Sequence, residues 1–218
     1  MKKLASLFVA LVVAIIVFSS AFVVDEAEQA IIVQFGEPQG DVISTPGLHW
    51  KLPFVQEVRR YDRRLLVWDG DVSQIPTLGR EFIQVDTTAR WRIVDPLQFL
   101  RSVRDERGGR TRLDDIIDSV VRDIISGTEL EEIVRSGDWD VDVDELDEIE
   151  QDRDDVSLTK RPKLGREKLE SEILKSASKL MSDLGIELKD VRIKRINYID
   201  SVRRQVENRM ISERQAIA

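Results

Sequence analysis

The stretch Leu4–Val24, LASLFVALVVAIIVFSSAFVV, contains 21 consecutive residues without a charge, and fourteen of them are Leu, Ile, Val or Phe. As an α-helix it would be about 31 Å long, which is roughly the thickness of the hydrocarbon core of a bilayer. The sequence therefore predicts a transmembrane anchor over residues 4–24. The side chains expected to contact lipid are Leu7, Leu11, Ile15, Phe18 and Phe22.

The charges on either side of this anchor predict its orientation. Two lysines precede it, whereas Asp25, Glu26 and Glu28 follow it. By the positive-inside rule, residues 1–3 are expected to be cytoplasmic and the rest of the chain periplasmic, in a bacterial inner membrane. A cleaved signal peptide ending near Ala21 is the alternative, but the apolar core of a signal peptide usually spans only about 7 to 15 residues. The length of the stretch favours a retained anchor.

The composition limits the chemistry and the partners of the remaining chain. The 218 residues include no cysteine, which excludes disulfides, thiolate metal ligands and cysteine nucleophiles. The net charge of −8 comes from residues 138–155, which contain eleven Asp or Glu and one Arg, so that the remainder carries +2. No basic stripe is interleaved with aromatic residues, so nucleic acid is not an expected partner.

Hydrophobic patterns predict a mixed α/β domain over residues 25–199. Alternating, β-branched and aromatic runs predict strands over residues 29–35, 58–68, 82–93 and 186–199. Apolar residues at helical spacing predict helices over residues 96–103, 113–125, 128–134 and 166–184, the last of them ending at Gly185. The mixture of strands and helices is typical of one α/β domain next to the anchor.

An acidic insert, residues 138–163, separates two of the predicted helices. An EF-hand calcium loop starting at Asp138 would need Gly at position 143 and Glu at position 149. The sequence has Val143 and Ile149 instead. A solvated charged loop is therefore favoured, with weak divalent-cation binding or docking on a basic partner surface as the alternatives.

Residues 200–218 are predicted to begin a C-terminal helix that continues beyond Ala218. An apolar stripe at i, i+4 and i+8 is flanked there by charged residues, a pattern that suits contact with a neighbouring helix. A helix folded back onto its own domain is the alternative. The residues expected at an oligomer interface are Val202, Val206, Arg209, Met210, Glu213 and Arg214.

An apolar, aromatic segment follows the first predicted strand and contains Trp50, Leu52 and Phe54. Aromatic side chains close to an anchor concentrate at the membrane–water interface. These three residues are therefore expected to contact the outer leaflet of the membrane. The alternative is that they pack against the first strand as part of the core.

The residue types that catalysis requires are sparse. His49 is the single histidine, and it lies in an apolar segment, so packing or hydrogen bonding is expected rather than metal ligation or general base catalysis. The GxSxG, Walker A and GxGxxG motifs are not present in the sequence. A Ser–Lys dyad stays open, because such pairs are recognised by geometry. The sequence predicts no catalytic, cofactor-binding or metal-binding residues.

Five segments resemble the SPFH (stomatin, prohibitin, flotillin, HflK/C) superfamily. They are FVVDEAEQAIIVQFG at 22–36, PGLHWKLPF at 46–54, WRIVD at 91–95, LGIELKDVRIKRIN at 184–197 and NRMISER at 208–214. The resemblance extends over nearly the whole chain in the expected order. Ala27, where Gly is common, and the strongly acidic insert depart from the pattern of the superfamily.

The resemblance implies a bacterial inner-membrane protein with an SPFH/band 7-like domain, followed by a coiled coil. It also implies assembly with an HflK-like SPFH paralogue into a large hetero-oligomer that encloses a membrane microdomain and regulates an FtsH-like membrane AAA protease. Such a subunit is a regulator of a protease and not an enzyme. The alternative functions are a periplasmic membrane-anchored hydrolase and a cleaved, soluble periplasmic binding module.

Overall fold

A computed structural model describes residues 2–134 and 165–198 of the chain. The mixed α/β fold is confirmed. In chain order the described elements are α1 (Lys2–Ser20), β1 (Ala21–Val24), β2 (Glu28–Gln34), β3 (Glu37–Ile43), β4 (Gly47–Trp50), β5 (Gln56–Asp62), β6 (Leu66–Asp69), β7 (Ser73–Pro76), β8 (Phe82–Ile93), α2 (Pro96–Ser102), α3 (Glu106–Ser126), α4 (Leu130–Val134), α5 (Gly165–Ser182) and β9 (Ile186–Tyr198). The acidic insert and the predicted helix over residues 200–218 lie outside the described residues.

The N-terminal helix is shorter than the sequence predicted. It ends at Ser20, and the next four residues form β1, which pairs antiparallel with β4. Alternation along a strand places Phe22 and Val24 on one face, where they are buried in a cluster with Ala30. The predicted helix over residues 4–24 is corrected accordingly. Within the part of the chain that the structure describes, no helix has both the length and the apolarity needed to cross a membrane.

The chain forms two compact units. Unit 1 comprises Met1–Leu66, Trp91–Thr111 and Met181–Glu187. It contains the antiparallel β1–β4 pair and an antiparallel three-stranded sheet in the order β3–β2–β5. Tyr61 and Phe99 meet edge to face with ring centroids 5.4 Å apart in its core. The Gln29 side chain is also buried, and its Nε2 donates a hydrogen bond to Ile93 O at 2.9 Å.

Unit 2 comprises Val67–Arg90, Arg112–Leu180 and Leu188–Ala218. Its central strand is β8, which pairs with β6, β7 and β9. Val85, Thr87 and Ala89 are buried on one face of β8, as the sequence pattern predicted, and β8 has the predicted bounds. The helices of unit 2 bury one apolar stripe each, formed by Leu113, Ile117, Val121 and Ile125 on α3 and by Leu169, Ile173 and Ala177 on α5.

The structure contains more strands than the sequence predicted. The predicted strand over residues 58–68 is two strands, because the Arg63 N–H donates to Ala27 O at 2.8 Å and the Arg64 N–H donates to Asp62 Oδ1 at 2.8 Å. These hydrogen bonds turn the backbone out of the ladder. The strands β4 and β7 have only four residues each, and β3 is rich in Gly, Pro and polar residues, so none of the three shows the alternation expected of a strand.

Candidate functional site

An exposed apolar surface lies at one end of the β2–β5 ladder in unit 1. We call it the apolar tip, and it consists of Phe35, Trp50, Leu52 and Phe54. The Phe35 and Phe54 side chains are both 86% exposed. Several large apolar side chains that are exposed near one another are uncommon on monomeric soluble proteins without a partner. The apolar tip therefore marks an interaction surface.

The β2–β5 register holds the loops of the apolar tip side by side. Gln34 pairs with Gln56, so the turn that contains Phe35 and the loop that precedes β5 leave the sheet together. The Gln56 Nε2 donates to Gln34 Oε1 at 3.3 Å. Its Oε1 accepts a hydrogen bond from the Leu52 N–H at 2.7 Å. One glutamine side chain therefore connects both loops.

The two phenylalanines of the apolar tip have left-handed backbone conformations. The φ angle is 53° at Phe35 and 67° at Phe54. Bulky L-residues rarely adopt such angles, and each costs of order 1 kcal/mol or more. Strained residues of this kind concentrate at ligand-binding sites. The strain at these two exposed rings thus supports an interaction role for the apolar tip.

The apolar tip adjoins α1 through β1. Ala21 pairs with Trp50, and the Lys51 N–H donates to Ser20 O at 2.8 Å. On α1 itself, the large apolar side chains from Leu4 to Phe18 are exposed. The C-terminal end of α1 and Trp50 of the apolar tip are therefore neighbours in unit 1.

The membrane-contact residues predicted from sequence fall into two groups. Phe22 is buried, and its ring centroid lies 5.8 Å from that of His49, so its predicted lipid contact is corrected to a core contact. Sequence reasoning missed Phe35, which it interpreted as the end of a strand. The Phe35–Gly36 pair at the end of an apolar run was the available signal of an exposed turn. The predicted residues that are exposed are Leu7, Leu11, Ile15, Phe18, Trp50, Leu52 and Phe54.

His49 makes local contacts in the structure. Its Nε2 lies 2.8 Å from Thr45 O, and its ring packs against Phe22. Among residues 2–134 and 165–198, no cluster of three or more His, Cys, Asp or Glu side chains could hold a metal ion. The six predicted oligomer-interface residues, Val202, Val206, Arg209, Met210, Glu213 and Arg214, lie outside the described residues.

The carboxyl group of Asp118, on α3 in unit 2, has a raised pKa. Burial raises the pKa of Asp118, and the neighbouring charge of Asp114 raises it further, while Arg122 acts in the opposite direction. Asp114 also accepts a hydrogen bond from Trp68 Nε1 at 2.6 Å, which keeps its negative charge close to the sheet. Because a raised pKa favours the protonated form, Asp118 in its charged form destabilises the folded state.

Comparison with known proteins identifies relatives along most of the chain. Protein HflC of Treponema pallidum (strain Nichols) is 37% identical over 94% of this chain and 64% of the relative. Protein HflC of Borreliella burgdorferi is 33% identical over 93% of this chain and 63% of the relative. A protein named "Modulator of FtsH protease HflC" from Escherichia coli (strain K12) is 28% identical over 95% of this chain. These relatives confirm that the sequence is HflC-like.

The chain spans slightly less than two thirds of the length of the first two relatives. The profile of one protein family, described as "SPFH domain / Band 7 family", matches residues 22–218. This match starts within β1 and extends through unit 2 and the part of unit 1 that follows α1, so it covers most of the described structure. The chain belongs to the SPFH domain / Band 7 family.

Proposed function

We propose that this chain is a membrane-anchored, non-enzymatic scaffold subunit that assembles with an HflK-like SPFH paralogue and regulates an FtsH-like membrane AAA protease. The observation that carries the proposal is the combination of SPFH family membership with relatives named HflC, one of them named as a modulator of FtsH protease. The fold supports it, since the most exposed apolar groups form surfaces suited to lipid and protein contact.

Membrane attachment in this proposal rests on α1 together with the apolar tip. Residues 4–20 of α1 contain no charge, and their large apolar side chains are exposed. We place residues 4–20 of α1 in the bacterial inner membrane, with residues 1–3 in the cytoplasm and the chain from β1 onwards in the periplasm, following Lys2 and Lys3 at the start of α1. A helix with apolar side chains exposed on all sides is stable in lipid and costly in water.

The apolar tip supplies a second contact with the same bilayer. Burial of one Phe side chain in an apolar environment stabilises by about 1.5–3 kcal/mol. Insertion of Phe35 and Phe54 into the bilayer therefore offsets the cost of their left-handed backbone conformations. Trp50 adds an indole ring, which favours the interface between lipid and water. Phe35, Trp50, Leu52 and Phe54 thus hold unit 1 against the outer leaflet beside α1.

We assign the contact between neighbouring subunits to the C-terminal segment, residues 200–218. Val202, Val206 and Met210 have the spacing of one helical stripe, which suits contact with the equivalent helix of a neighbouring subunit. Arg209, Glu213 and Arg214 would then set the register by charge pairing. A closed hetero-oligomer built from such contacts can surround a patch of membrane and restrict access to a membrane protease.

The test is the native mass of the natural full-length protein, extracted from its own membranes in mild detergent. A megadalton-scale particle that contains a second SPFH chain and an AAA protease is expected. A small particle without either partner would contradict the proposal. The variant Val206→Asp is expected to dissociate the particle, whereas the matched control Gln205→Asp, one position away from the apolar stripe, is expected to leave its mass unchanged.

A further inference from the structure

Helix α1 exposes large apolar side chains on every side. Leu7, Phe8, Val9 and Leu11 lie within little more than one turn, and each of them is more than half exposed. Successive residues of an α-helix point in directions about 100° apart, so these four side chains surround the helix axis. A helix that docks in a protein groove needs only one apolar face. The surface of α1 therefore fits lipid better than a groove of a partner protein.

Helix α1 passes directly into the folded part of unit 1. It ends at Ser20, and Ala21 is already the first residue of β1. The Lys51 N–H donates to Ser20 O at 2.8 Å, so this carbonyl at the end of the helix is bonded to unit 1 and does not depend on water. The Ser20 hydroxyl donates to Ile16 O at 2.7 Å. The end of α1 is thus fixed to unit 1 without an intervening linker.

The register of β1 and β4 gives the level of the apolar tip along α1. Val24 pairs with Gly47, and Ala21 pairs with Trp50. Because the pairing is antiparallel, β4 runs back towards the end of α1 while β1 runs away from it. Trp50 therefore lies next to the end of α1, and Leu52, two residues further along the chain, lies close to the same level.

Charged groups begin within a few residues beyond this level. The Arg60 Nη2 donates to Val23 O at 3.3 Å, and the Arg60 Nε lies 3.9 Å from Glu28 Oε2. Asp25 follows β1 directly. Charged side chains are costly in hydrocarbon, so the apolar core of a bilayer cannot extend past Val23 on this side. With residues 4–20 in the membrane, as proposed above, the outer boundary of the hydrocarbon core lies close to Ser20.

The charge-free part of α1 is short for a typical bilayer. Lys3 precedes it, and residues 4–20 are 17 residues. They form about 25 Å of helix, compared with about 30 Å for a typical hydrocarbon core. The apolar residues of β1 do not lengthen the span, because Phe22 and Val24 are buried in the core of unit 1. The helix is therefore about 5 Å too short, and any tilt increases this difference.

We propose that α1 and the apolar tip bind a bilayer about 5 Å thinner than usual, so that phospholipids with short acyl chains collect around this protein. The inference rests on the proposed function, which places α1 in a membrane, and it names the class of lipid that this site takes. Trp50 and Leu52 hold unit 1 at the outer surface of the bilayer, so the lipid adapts and unit 1 does not move. Anchors that share one thinned patch shorten its boundary, which favours clustering of subunits.

Competition between two lipids in reconstituted vesicles tests the proposal. The full chain, which has no cysteine of its own, carries a fluorophore at Ile15→Cys, an exposed position of α1. The vesicles contain equal amounts of dimyristoleoyl and dioleoyl phosphatidylcholine, and in paired samples a nitroxide is attached to the acyl chains of one lipid or of the other. Because a nitroxide quenches only at short range, the two quenching values give the relative affinity of α1 for each lipid. The shorter lipid is expected to bind at least about threefold more tightly.

A longer anchor provides the decisive variant. Insertion of Leu-Ala-Leu-Val after Val12 lengthens the charge-free part of α1 by about 6 Å. This variant is expected to lose the preference for the shorter lipid, because its span matches a typical bilayer. The matched control is Ala10→Leu together with Ala14→Leu, which makes α1 more apolar without making it longer. The control is expected to keep the affinity ratio of the unmodified anchor.

Equal affinity for the two lipids, or a preference for the longer one, would overturn the proposal. A preference for the shorter lipid that survives the insertion would also overturn it, since the length of α1 would not be the cause. If neither lipid quenches the fluorophore, α1 is outside the bilayer, and both this inference and the proposed membrane attachment fail. If the short-lipid preference is found but the native particle lacks a second SPFH chain and an AAA protease, this inference stands and only the proposed assembly fails.

Discussion

Gly185 occupies a backbone position that no other residue fits. Its φ angle is 75°, and its carbonyl oxygen accepts hydrogen bonds from the Val94 N–H at 3.0 Å and the Asp95 N–H at 3.2 Å. A Cβ atom added there would lie 2.4 Å from Asp95 O and 3.0 Å from Phe99 N. Both neighbours are backbone atoms of unit 1, so a side chain cannot be accommodated by a change of rotamer.

The variant Gly185→Ala is expected to lower the free energy of unfolding by at least about 2 kcal/mol, because it adds a left-handed alanine and a backbone clash. Urea unfolding followed by circular dichroism measures this change. The control Gly127→Ala places a Cβ no closer than 3.7 Å to its neighbours and is expected to change stability by less than about 0.5 kcal/mol. Equal effects of the two variants would refute the proposed close approach.

Asp118 provides a pH-dependent prediction at the residue scale. Its folded-state pKa is raised by burial and by Asp114, so the wild-type protein is destabilised at pH values above that pKa. Asp118→Asn is therefore expected to stabilise the protein at pH 7, by less than about 1 kcal/mol since the group is only partly buried. The stabilisation by Asp118→Asn should decrease as the pH falls below the folded-state pKa of Asp118, and it should vanish below the unfolded-state pKa. Thermal unfolding at several pH values measures it.

The exposed residue Asp123 on the same helix supplies the control for this prediction. Asp123→Asn is expected to leave the unfolding temperature nearly unchanged across the same pH range. A stabilisation by Asp118→Asn that persists at pH 3 would show that the charge of Asp118 is not the cause.

At the scale of elements, α5 closes one edge of β9. The buried Glu170 carboxylate accepts a hydrogen bond from the Ile193 N–H at 2.9 Å and another from Arg192 Nη1 at 3.0 Å. The Arg166 guanidinium donates to Ile193 O. Side chains of a helix therefore take the place that a further strand would occupy at this position. Natural sheets use such coverage to prevent edge-to-edge association.

The variant Glu170→Leu is expected to destabilise the protein by about 2–3 kcal/mol, because it leaves the buried Ile193 N–H without an acceptor. Hydrogen exchange of the Ile193 amide should become faster, and self-association should increase. Mass spectrometry and light scattering measure these effects. The control Glu172→Leu changes an exposed residue of α5, and it should alter neither the exchange rate of the Ile193 amide nor self-association. Unchanged exchange at Ile193 in the Glu170 variant would rule out the edge-capping role.

Elements with strong local patterns were predictable from sequence, and elements defined by tertiary contacts were not. The bounds of β8 were predictable because apolar Val85, Ala89, Trp91 and Ile93, together with Thr87, alternate with polar or charged residues from 85 to 93. The sequence also identifies Gly185 as the end of the preceding helix, but not its approach to Asp95, which comes from a distant part of the chain. The strand β1 was missed, since Phe22 continues the apolar run of α1 without interruption.

At the scale of the whole molecule, most of the candidate site could be predicted from sequence. Trp50, Leu52 and Phe54 stand out as an apolar segment near the helix, and the structure exposes all three. Phe35 joins them only through the β2–β5 register, which pairs residues more than twenty positions apart. Unit 1 is also assembled from three segments that are far apart in the chain, so a local sequence pattern could not predict it.

The contact between the apolar tip and a bilayer can be measured directly, because the chain has no cysteine and a single introduced one is labelled uniquely. Phe35→Cys and Phe54→Cys, each labelled with an environment-sensitive fluorophore in the full chain reconstituted into vesicles, are expected to show several-fold stronger quenching by spin-labelled lipid than Leu65→Cys. Leu65 is a matched control, since it is an exposed apolar residue of unit 1 just beyond the other end of β5. Equal quenching at all three positions would place the apolar tip outside the membrane, and its strained phenylalanines would then require a protein partner.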